Sequence, residues 1–407
     1  MTHTDYEDLV RVRRAYKFLL RPTSKQAAAL EACLEDHRQL YNAALEERRE
    51  AWRRGVSLSY CPQAGQLPAI RGADPGGQGR WPAGSQQQTL RRLDKAFRAF
   101  CRRVKAGGKR PGYPRFKGRG WFDTIEWPAE KNGARWDCVP HPAVTRLYLL
   151  GIGHVRVHQH RAVKGRVKTV SVKREGNRWY AVLSCDDVPA APLPATGAVI
   201  GIDMGVASFL TTSDGGHVPN PRPLAAAAGR LTRAQRSLAR KKRGSNRRRK
   251  AVTKVAALHA KVRRSRLDHA HKTALALVQD HDVIVHEDLK IANMTRRPEP
   301  KPADDGTYQL NGAAAKAGLN RSILDAGWGV FLRVLAGKAE SADRIVIATD
   351  PRHTSQRCAQ CGHVAAGNRV IQAVFRCLSC GHQAHADVNA ARNILRAGLA
   401  RRAAGAA

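Results

Sequence analysis

The sequence predicts a multidomain α/β protein, and three features of the chain lead to that prediction. Its 407 residues are enough for about two to four domains with hydrophobic cores of their own. The spacing of apolar residues is helical near the N-terminus, strand-like in the middle and mixed in the second half. Two Cys-x-x-Cys pairs near the C-terminus have the pattern of a small metal-binding module. We therefore expect a helical lobe, a small antiparallel β unit, and an α/β domain that carries the cysteine module.

The charge of the chain predicts a polyanionic partner. Lys and Arg total 71 against 33 Asp and Glu, which gives a formal net charge of +38. A compact protein with this surplus repels itself unless a polyanion neutralises it, and arginine, which dominates here, suits bidentate contacts to phosphate. The composition therefore indicates nucleic-acid binding, with a merely very soluble, arginine-rich protein as the alternative.

The expected location is the cytoplasm, without a membrane anchor. The sequence has no apolar run of about eighteen residues, as a spanning helix needs, and its first residues lack the apolar segment of a signal peptide. Five of the nine cysteines are scattered singly, and in a cytosolic chain these are expected to be reduced.

The N-terminal part predicts one strand followed by helices. Residues 10–20 (VRVRRAYKFLL) alternate as a strand does. Thr23 and Gln26 have the spacing of a capping box, and the apolar residues after them keep helical spacing. Pro and Gly interrupt residues 62–84, which predicts a loop, and a second helix is expected from about Ser85. Residues 23 to about 106 are therefore expected to form a helical module.

A loop rich in glycine and proline follows (AGGKRPGYPRFKGRGWF, residues 106–122), and in it basic residues alternate with aromatic rings. This pattern suits a loop that follows a phosphate backbone and stacks bases. The alternative, equally weighted, is that the rings simply fix the loop to a core. The candidate nucleic-acid contacts are Lys109, Arg110, Tyr113, Arg115, Phe116 and Lys117.

The rest of the chain predicts strands first and then mixed elements. Residues 122–190 are expected to form antiparallel strands with Gly176-Asn177 as a hairpin turn, followed by a proline-rich linker at 189–197. Beyond it we expect strands at AVIGIDMG, SFLTTSDG, GHVP, HDVIVHEDL and RIVIATD. A single helix is expected over residues 324–342, and a last helix begins near residue 386.

A long basic stretch lies between these strands. Residues 230–266 contain sixteen Lys or Arg and no acid, and their sparse apolar residues recur at helical spacing. Helices whose surface follows a nucleic-acid backbone are the preferred interpretation, and a solvated face is the alternative. The candidate contacts in this stretch are Arg240, Lys241, Lys242, Arg243, Arg247, Arg248 and Arg249.

The four paired cysteines predict a structural zinc site. Cys358-x-x-Cys361 and Cys377-x-x-Cys380 are separated by fifteen residues, which is within the spacing of a four-thiolate zinc ribbon. Each pair is followed directly by Gly-His, as expected for a tight metal-binding turn. Because four thiolates close the site, this zinc is not expected to be the catalyst, and a redox dithiol is the alternative.

Three acids predict a catalytic site. Asp203 lies inside an apolar strand, Glu287 ends another, and Asp387 opens the last helix. For each acid alone, a helix cap or an ion pair with arginine is the preferred explanation, because a buried acid needs a partner or a cation. In order, however, these strands, helices and acids form the RNase H arrangement, whose carboxylates hold two Mg²⁺ or Mn²⁺ ions. Nearby acids that compete for these roles are Asp282, Asp288 and Asp350.

At this point the motifs resemble a known family. GIDMGVASFLTTSDG, VIVHEDLKIANM and TSQRCAQCG with CLSCGHQAHADVNAARNI are similar to the three RuvC motifs and the zinc ribbon of the TnpB proteins. AYKFLLRPTSKQ, LRRLDKAFRAFCRRVKAGGKRPGYPRFKGR and the basic helices also resemble that family, so the similarity covers most of the chain. The resemblance implies an RNA-guided DNA endonuclease encoded by an insertion sequence and related to compact type V CRISPR effectors.

The resemblance also implies a domain plan and roles for individual residues. Asp203, Glu287 and Asp387 would bind the catalytic metals, and the four paired cysteines would bind zinc. The partners would be a guide RNA and double-stranded target DNA, with the protein a monomer on its RNA. One departure is His385, where family members often carry an acid. The implied parts are a wedge-like β-barrel (1–22 and 121–196), a helical recognition lobe (23–120), an RNase H-like RuvC nuclease domain (197–349 and 385–407) and an inserted zinc ribbon (350–384).

Two other functions remain open from the sequence. A transposase proper would use the same three acids for strand transfer, and an RNase H triad does not exclude it. A nucleic-acid-binding regulator with an inactive nuclease is the third hypothesis, and the presence of all three acids argues against it.

Overall fold

The computed structural model describes residues 11–107, 111–137 and 145–405. The chain divides into two compact units, with the boundary between Pro189 and Ala190. This boundary falls a few residues before residue 197, where the sequence analysis begins the nuclease domain. Two predicted contact residues, Lys109 and Arg110, lie outside the described residues.

A seven-stranded antiparallel sheet forms the β part of the first unit. Its strands lie in the order β2-β6-β7-β1-β5-β4-β3, so the predicted N-terminal strand is central. The outer strands β2 and β3 follow each other in the chain across residues 128–133, so the sheet curls and is nearly closed. Gly176 adopts φ +65°, a conformation that suits a two-residue hairpin turn, and the predicted turn is confirmed. The strands are β1 (Arg11–Arg21), β2 (Thr124–Trp127), β3 (Ala134–Asp137), β4 (Arg146–Leu149), β5 (Gly153–His158), β6 (Arg166–Glu175) and β7 (Arg178–Pro189).

The helices of the first unit are α1 (Ser24–Arg53), α2 (Tyr60–Gly65), α3 (Leu67–Ala73) and α4 (Ala83–Lys105). The predicted capping box is confirmed, because Thr23 and Gln26 exchange both side-chain hydrogen bonds at the start of α1. The loop predicted over 62–84 is partly wrong, since two short helices occupy it. Pro68 lies in the first turn of α3, where the missing N–H removes no helical hydrogen bond. Apolar residues of α1, α4 and the sheet, such as Leu30, Leu93 and Phe18, share one core.

The second unit is built on a five-stranded mixed sheet in the order β10-β9-β8-β11-β14. Strands β8, β11 and β14 are parallel, and β9 and β10 are antiparallel to their neighbours. The predicted strands of this unit are confirmed. Its elements are β8 (Val199–Met204), β9 (Ser208–Thr212), β10 (His217–Pro219), α5 (Pro223–Ala239), α6 (Asn246–Asp280), β11 (Val283–Glu287), α7 (Ile291–Met294), β12 (Lys301–Pro302), β13 (Tyr308–Gln309), α8 (Ala313–Ala326), α9 (Trp328–Ala342), β14 (Ile345–Thr349), β15 (Val374–Arg376), β16 (Gln383–His385) and α10 (Ala386–Gly405).

The two faces of this sheet are covered by different helices. Ile200 and Ile202 of β8 belong to one core with Ala274 of α6 and Phe331 of α9. Val285 of β11 packs on the other face with residues of α10. The β15–β16 hairpin and the four paired cysteines lie in the segment between β14 and α10. Among the described residues, no helix is long and apolar enough to cross a membrane.

The single helix predicted over residues 324–342 is wrong, because the chain breaks at Gly327. Gly327 has φ +77° and separates α8 from α9. An added Cβ there would lie 2.4 Å from Cδ of Arg266, so a side chain would collide with α6 as well as strain the backbone. The apolar spacing continues through this break, which is why the sequence pattern did not reveal it.

Candidate catalytic site and four-cysteine cluster

Asp203 and Glu287 lie side by side at one edge of the sheet in the second unit. The register pairs Val285 with Gly201 and His286 with Ile202. One residue further, Glu287 and Asp203 therefore lie level with each other at the carboxyl ends of two parallel strands. Because alternate residues of a strand share a face, both carboxylates point to the face that α10 covers.

The helix α10 brings Asp387 to the same place. An added Cβ on Gly201 would lie 2.2 Å from the carbonyl oxygen of Ala391, so β8 and α10 are in backbone contact there. Asp387 is one helical turn before Ala391, and Asp203 is two residues after Gly201 on the same face. Both steps lead toward the same edge of the sheet, so the three predicted acids are brought together.

The electrostatics of Asp203 also reflect this proximity. Burial and the neighbouring carboxylates of Glu287 and Asp387 raise the pKa of Asp203 to about 7, while Arg369 opposes the rise. Burial raises the pKa of Glu287, and its hydrogen bond from Thr354 opposes the shift. Mutual repulsion of buried acids is the condition that a bound divalent cation relieves.

Two partners of these acids were not predicted from the sequence. Thr354 Oγ1 donates to Glu287 Oε1 at 2.5 Å, and Arg369 Nη2 donates to Asp387 Oδ1 at 3.0 Å. Both residues belong to the segment between β14 and α10, which folds back onto the sheet edge. The only local signal is Thr354 at the start of TSQRC; nothing in the sequence singles out Arg369 among 71 basic residues.

The competing acids occupy other environments. Asp282 lies at the opposite end of β11, where it accepts the amides of Thr196 and Gly197 and pairs with Arg344. These hydrogen bonds lower the pKa of Asp282. Asp288 is exposed and pairs with Lys290, and Asp350 accepts the amide of Arg352 in an exposed turn.

His385 takes part in a pair of imidazoles beside this site. Its ring contacts the ring of His217 with centroids 4.7 Å apart, and its Nδ1 accepts the amide of Asp387 at 3.3 Å. His217 in turn contacts Thr211, which is paired with Asp203 across β8 and β9. The side chain at this departure from the family pattern therefore helps to cap α10.

The four paired cysteines form a compact cluster. The Sγ atoms of Cys358 and Cys380 are 3.7 Å apart, and those of Cys361 and Cys377 are 3.6 Å apart. Within the described part of the chain, this is the one group of three or more His, Cys, Asp or Glu residues whose ligand atoms all lie within 4.8 Å. The three acids are thus a looser group than the thiols.

Both cysteine pairs have the same backbone geometry. The amide of Cys358 donates to His363 O at 2.8 Å, and the amide of Cys377 donates to His382 O at 2.9 Å. Gly362 and Gly381, which precede those histidines, adopt φ +80° and +73°. The glycine that follows each Cys-x-x-Cys is therefore required by a left-handed backbone conformation, which only glycine adopts readily.

Two asparagines of α10 fasten the first cysteine turn to the helix. Asn389 Oδ1 accepts the amide of Ala359 at 2.9 Å, and its Nδ2 donates to Arg357 O at 2.8 Å. Asn393 donates to Thr354 O and Arg357 O. The sequence signal was available: the two asparagines in DVNAARN are four residues apart and so share one face of a helix.

The aromatic loop of the first unit packs against α4 and α1, while its contact with nucleic acid stays a prediction. Tyr113 packs edge-on against Phe97 and Phe100 of α4, with centroids 5.5 and 5.2 Å away. Asn42 holds the backbone of Lys117 through two hydrogen bonds. The rings therefore do fix the loop, yet Tyr113 and Phe116 each keep more than two-fifths of their surface exposed. Arg115 is exposed as well.

The basic stretch forms two helices, α5 and α6, joined by a tight turn over 240–245, so the helical prediction is confirmed. Arg248 has a structural role, because its Nη1 donates to Leu238 O and Lys241 O at the end of α5. The remaining candidates with exposed side chains are Arg240, Lys242, Arg243, Arg247 and Arg249. Their exposure leaves them available to a polyanion.

Comparison with known proteins decides the family. The family described as "Probable transposase" (OrfB of IS605) matches residues 170–297, and a Cas12f1-like TNB domain matches residues 328–394. InsQ of Escherichia coli K12, which carries the name of an RNA-guided DNA endonuclease, is 36% identical over 95% of this chain and 92% of its own length. The chain belongs to the TnpB family. A Streptomyces pristinaespiralis protein with the same kind of name is 32% identical over 97% of this TnpB-family chain and 91% of its own.

The fold is similar to that of a solved structure. A cryo-electron microscopy structure of a Cas12f1–sgRNA–target DNA complex has a TM-score of 0.54 at 13% identity, covering 94% of this chain and 98% of that one. The family described as a helix-turn-helix domain also matches residues 12–56 of this TnpB-family chain. In the structure those residues form β1 and the single long helix α1.

Proposed function

We propose that this chain is an RNA-guided DNA endonuclease of an insertion element, with an RNase H-like RuvC nuclease domain in its second unit. The observation that carries the proposal is the meeting of Asp203, Glu287 and Asp387 at one edge of the sheet. The strand order, three antiparallel strands followed by two parallel ones with a helix across them, supports the RNase H-like assignment. The names of the relatives supply the guide RNA and the DNA substrate.

The three carboxylates suit a pair of hard cations. Oxygen ligands are those that Mg²⁺ and Mn²⁺ prefer, and burial together with the two neighbouring carboxylates raises the pKa of Asp203, a cost that bound cations would offset. Asp203, Glu287 and Asp387 would hold the two ions. When bound, the ions would activate the attacking water and stabilise the leaving 3′ oxygen at phosphorus.

The remaining residues of the site position these ligands. Thr354 orients Glu287, and His385 and the start of α10 orient Asp387. Arg369 places a guanidinium beside the acids, and this group suits the non-bridging oxygens of a phosphate. The segment between β14 and α10 therefore contributes to the site through Thr354 and Arg369.

The cysteine cluster suits one structural zinc ion. A tetrahedral zinc with Zn–S bonds of about 2.3 Å separates its sulfurs by about 3.8 Å, and the two measured separations are 3.7 and 3.6 Å. Cys358, Cys361, Cys377 and Cys380 would fill all four positions. The ion would then stabilise the turn that holds Thr354 and Arg369 near the acids.

In this proposal the basic surfaces bind the guide RNA, and the target is recognised by base pairing. The protein itself reads a short duplex motif beside the target, as RNA-guided nucleases do. The β-barrel (1–22 and 121–196), the recognition lobe (23–120), the nuclease domain (197–349 and 385–407) and the zinc ribbon (350–384) remain our proposed division. We propose that one protein molecule acts with one RNA in the cytoplasm.

The decisive experiment compares two acids at the same edge of the sheet. Asp203→Ala is expected to abolish Mg²⁺-dependent cleavage of matched DNA while the copurifying RNA stays bound. Asp288→Ala, which removes an exposed carboxylate paired with Lys290, is the matched control and is expected to cleave as wild type does. Cleavage by Asp203→Ala at the wild-type rate would contradict the proposal.

A transposase proper is the second candidate, and the description of the matching family favours it. Sequencing of the RNA that copurifies, with a test of whether cleavage depends on it, separates the two. If purified protein joined transposon ends without RNA, the transposase would be correct. If wild-type protein with its RNA did not cleave DNA in Mg²⁺, a nuclease-inactive regulator would be favoured.

A further inference from the structure

A large arginine-lined cavity lies in the second unit, apart from the three acids. Its volume is about 970 Å³, and it is bounded by α6, α8, the start of α5 and the segment after α7. Four arginines line it, among them Arg263, Arg297 and Arg321, and none of its lining residues is an acid. Leu224, Val262 and Leu324 add apolar surface, so the cavity combines positive charge with apolar walls.

The cavity is built from segments that leave the catalytic edge of the sheet. Thr295, which lines it, follows Glu287 by eight residues, across the short helix α7. On the other side Asn220, just before α5, donates to Val206 O at 2.9 Å, and Val206 follows Asp203 by three residues. Two segments that form the cavity walls therefore lead along the chain from the edge that carries the acids.

A buried ion pair between Arg266 and Asp325 stabilises the walls of the cavity. It does not involve Arg297 or Arg321, which also line the cavity. Asp325 accepts the amides of Leu224 and Ala225 at the start of α5 and pairs with Arg266 at 3.0 Å. By contrast, Arg297 and Arg321 make no ion pair or hydrogen bond with any residue that the structure describes. Within the part of the chain that the structure describes, both guanidinium groups are therefore unpaired and can bind an anion.

We propose that this cavity binds nucleotides of the DNA strand that is being cut. Arg297 and Arg321 would bind its phosphates, since guanidinium groups match phosphate geometry. The apolar side chains, Leu224 and Leu324 among them, would contact sugar and base. The absence of acids in the lining favours a polyanion over a protein partner, and the short chain connections from the cavity walls to the edge that carries the three acids favour the cleaved strand over the guide RNA. This inference rests on the proposed nuclease function.

The test removes the two free charges and measures strand binding without cleavage. The probe is a fluorescent single-stranded oligothymidine, titrated onto RNA-loaded protein in EDTA. We expect Arg297→Ala with Arg321→Ala to weaken binding about tenfold and to lower the salt slope by about 1.4, the value for two single-strand phosphate contacts. The control, Lys272→Ala with Arg402→Ala, removes two exposed charges elsewhere and is expected to bind as wild type does.

Three further measurements make the result decisive. Arg297→Lys with Arg321→Lys keeps the charge and is expected to restore most of the binding and the salt slope, which a folding defect would not allow. The proposal would be overturned if the double alanine variant bound oligothymidine as tightly as the control variant does. It would also be overturned if the double alanine variant lost affinity for the guide RNA.

A competition with thymidine monophosphate gives the last outcome. If the mononucleotide bound tightly without displacing the oligothymidine, the cavity would not be a site for the strand. Because binding is read without cleavage, an inactive wild type would refute the nuclease function alone.

Discussion

At the scale of single residues, Asp203 has the most unusual environment in the proposed catalytic site. It lies in a strand whose other residues are apolar, yet two further carboxylates are brought beside it by the register of β11 and by α10. Burying an ionised carboxylate among other carboxylates costs free energy unless a proton or a cation neutralises it. In the metal-free protein a proton neutralises Asp203 below about pH 7, because its pKa is raised to about 7.

This shift predicts a pH dependence for the metal-free protein. The ordinary carboxyl pKa is 3.8, so as pH rises toward 7 the unfolded chain releases a proton that the folded chain keeps. The contribution of Asp203 to stability is therefore complete at acid pH and is lost as pH rises through about 7. Asp203→Asn lacks this dependence.

The measurement is the free energy of unfolding in urea with EDTA, at about pH 5 and about pH 8. We expect the free energy of unfolding of wild type to fall, relative to that of Asp203→Asn, as the pH is raised from about 5 to about 8. An unchanged difference between the two proteins across this range would show that Asp203 is not strained in the folded state.

The sequence was informative about the three proposed catalytic acids but not about the residues that contact them. An acid inside an apolar strand is visible without a structure, which is why Asp203 and Glu287 could be chosen. The contacts of Thr354 and Arg369 could not be predicted, because they depend on how the cysteine-containing segment folds back over the sheet. His385 was recognised only as a departure, and its contact with His217 needed the pairing of β9 with β10.

At the scale of elements, the contact between β8 and α10 gives a second prediction. Gly201→Ala places a Cβ 2.2 Å from Ala391 O, and such overpacking costs about 1–3 kcal/mol. Since α10 must move away, Asp387 moves with it, and DNA cleavage is expected to fall further than stability alone explains.

Gly229→Ala is the matched control for this prediction. Gly229 lies inside α5 with open space where the Cβ would be, so this variant is expected to gain about 0.5–1 kcal/mol from helix propensity. Urea unfolding and cleavage rate are measured on both. If the Gly201→Ala protein were as stable and as active as the Gly229→Ala protein, α10 would not be in close contact with β8.

The cysteine cluster gives a third prediction, on catalysis at a distance. Cys377→Ser is expected to lose zinc and to impair cleavage, because the turn that holds Thr354 and Arg369 loosens while the three acids stay in place. Zinc content and cleavage rate are measured together. Cys61→Ser, at an exposed single cysteine, is the control. If a zinc-free Cys377→Ser protein cleaved DNA at the wild-type rate, the zinc site would not contribute to cleavage.

Elements were predicted well where local chemistry defines their ends. Thr23 and Gln26 define the start of α1 through their own hydrogen bonds. The break at Gly327 was not predicted, because the apolar spacing continues through it and the left-handed backbone of this glycine is visible only in the structure. The short helices α2 and α3 were missed because glycine and proline obscured a helical pattern of only six or seven residues.

At the scale of the whole molecule, the net charge of +38 predicts strong salt dependence of RNA binding. Replacement of Arg243, Arg247 and Arg249 by Gln is expected to weaken binding and to lower the slope of log affinity against log salt by about one for each phosphate that the protein no longer neutralises. Filter binding at several salt concentrations measures it. The Lys replacements at the same positions keep the charge, and equal slopes for the Gln and Lys proteins would exclude this surface from the RNA interface.

The position of α10 in the chain has a consequence for biosynthesis. A ribosome makes β8 and β11 long before it makes the helix that covers them and supplies Asp387. Pairing across such a sequence separation is slow, because the loop between the partners must close first. The nascent chain therefore cannot assemble all three acids until α10 has emerged, so a ribosome-bound intermediate lacks the complete site that we propose for DNA cleavage.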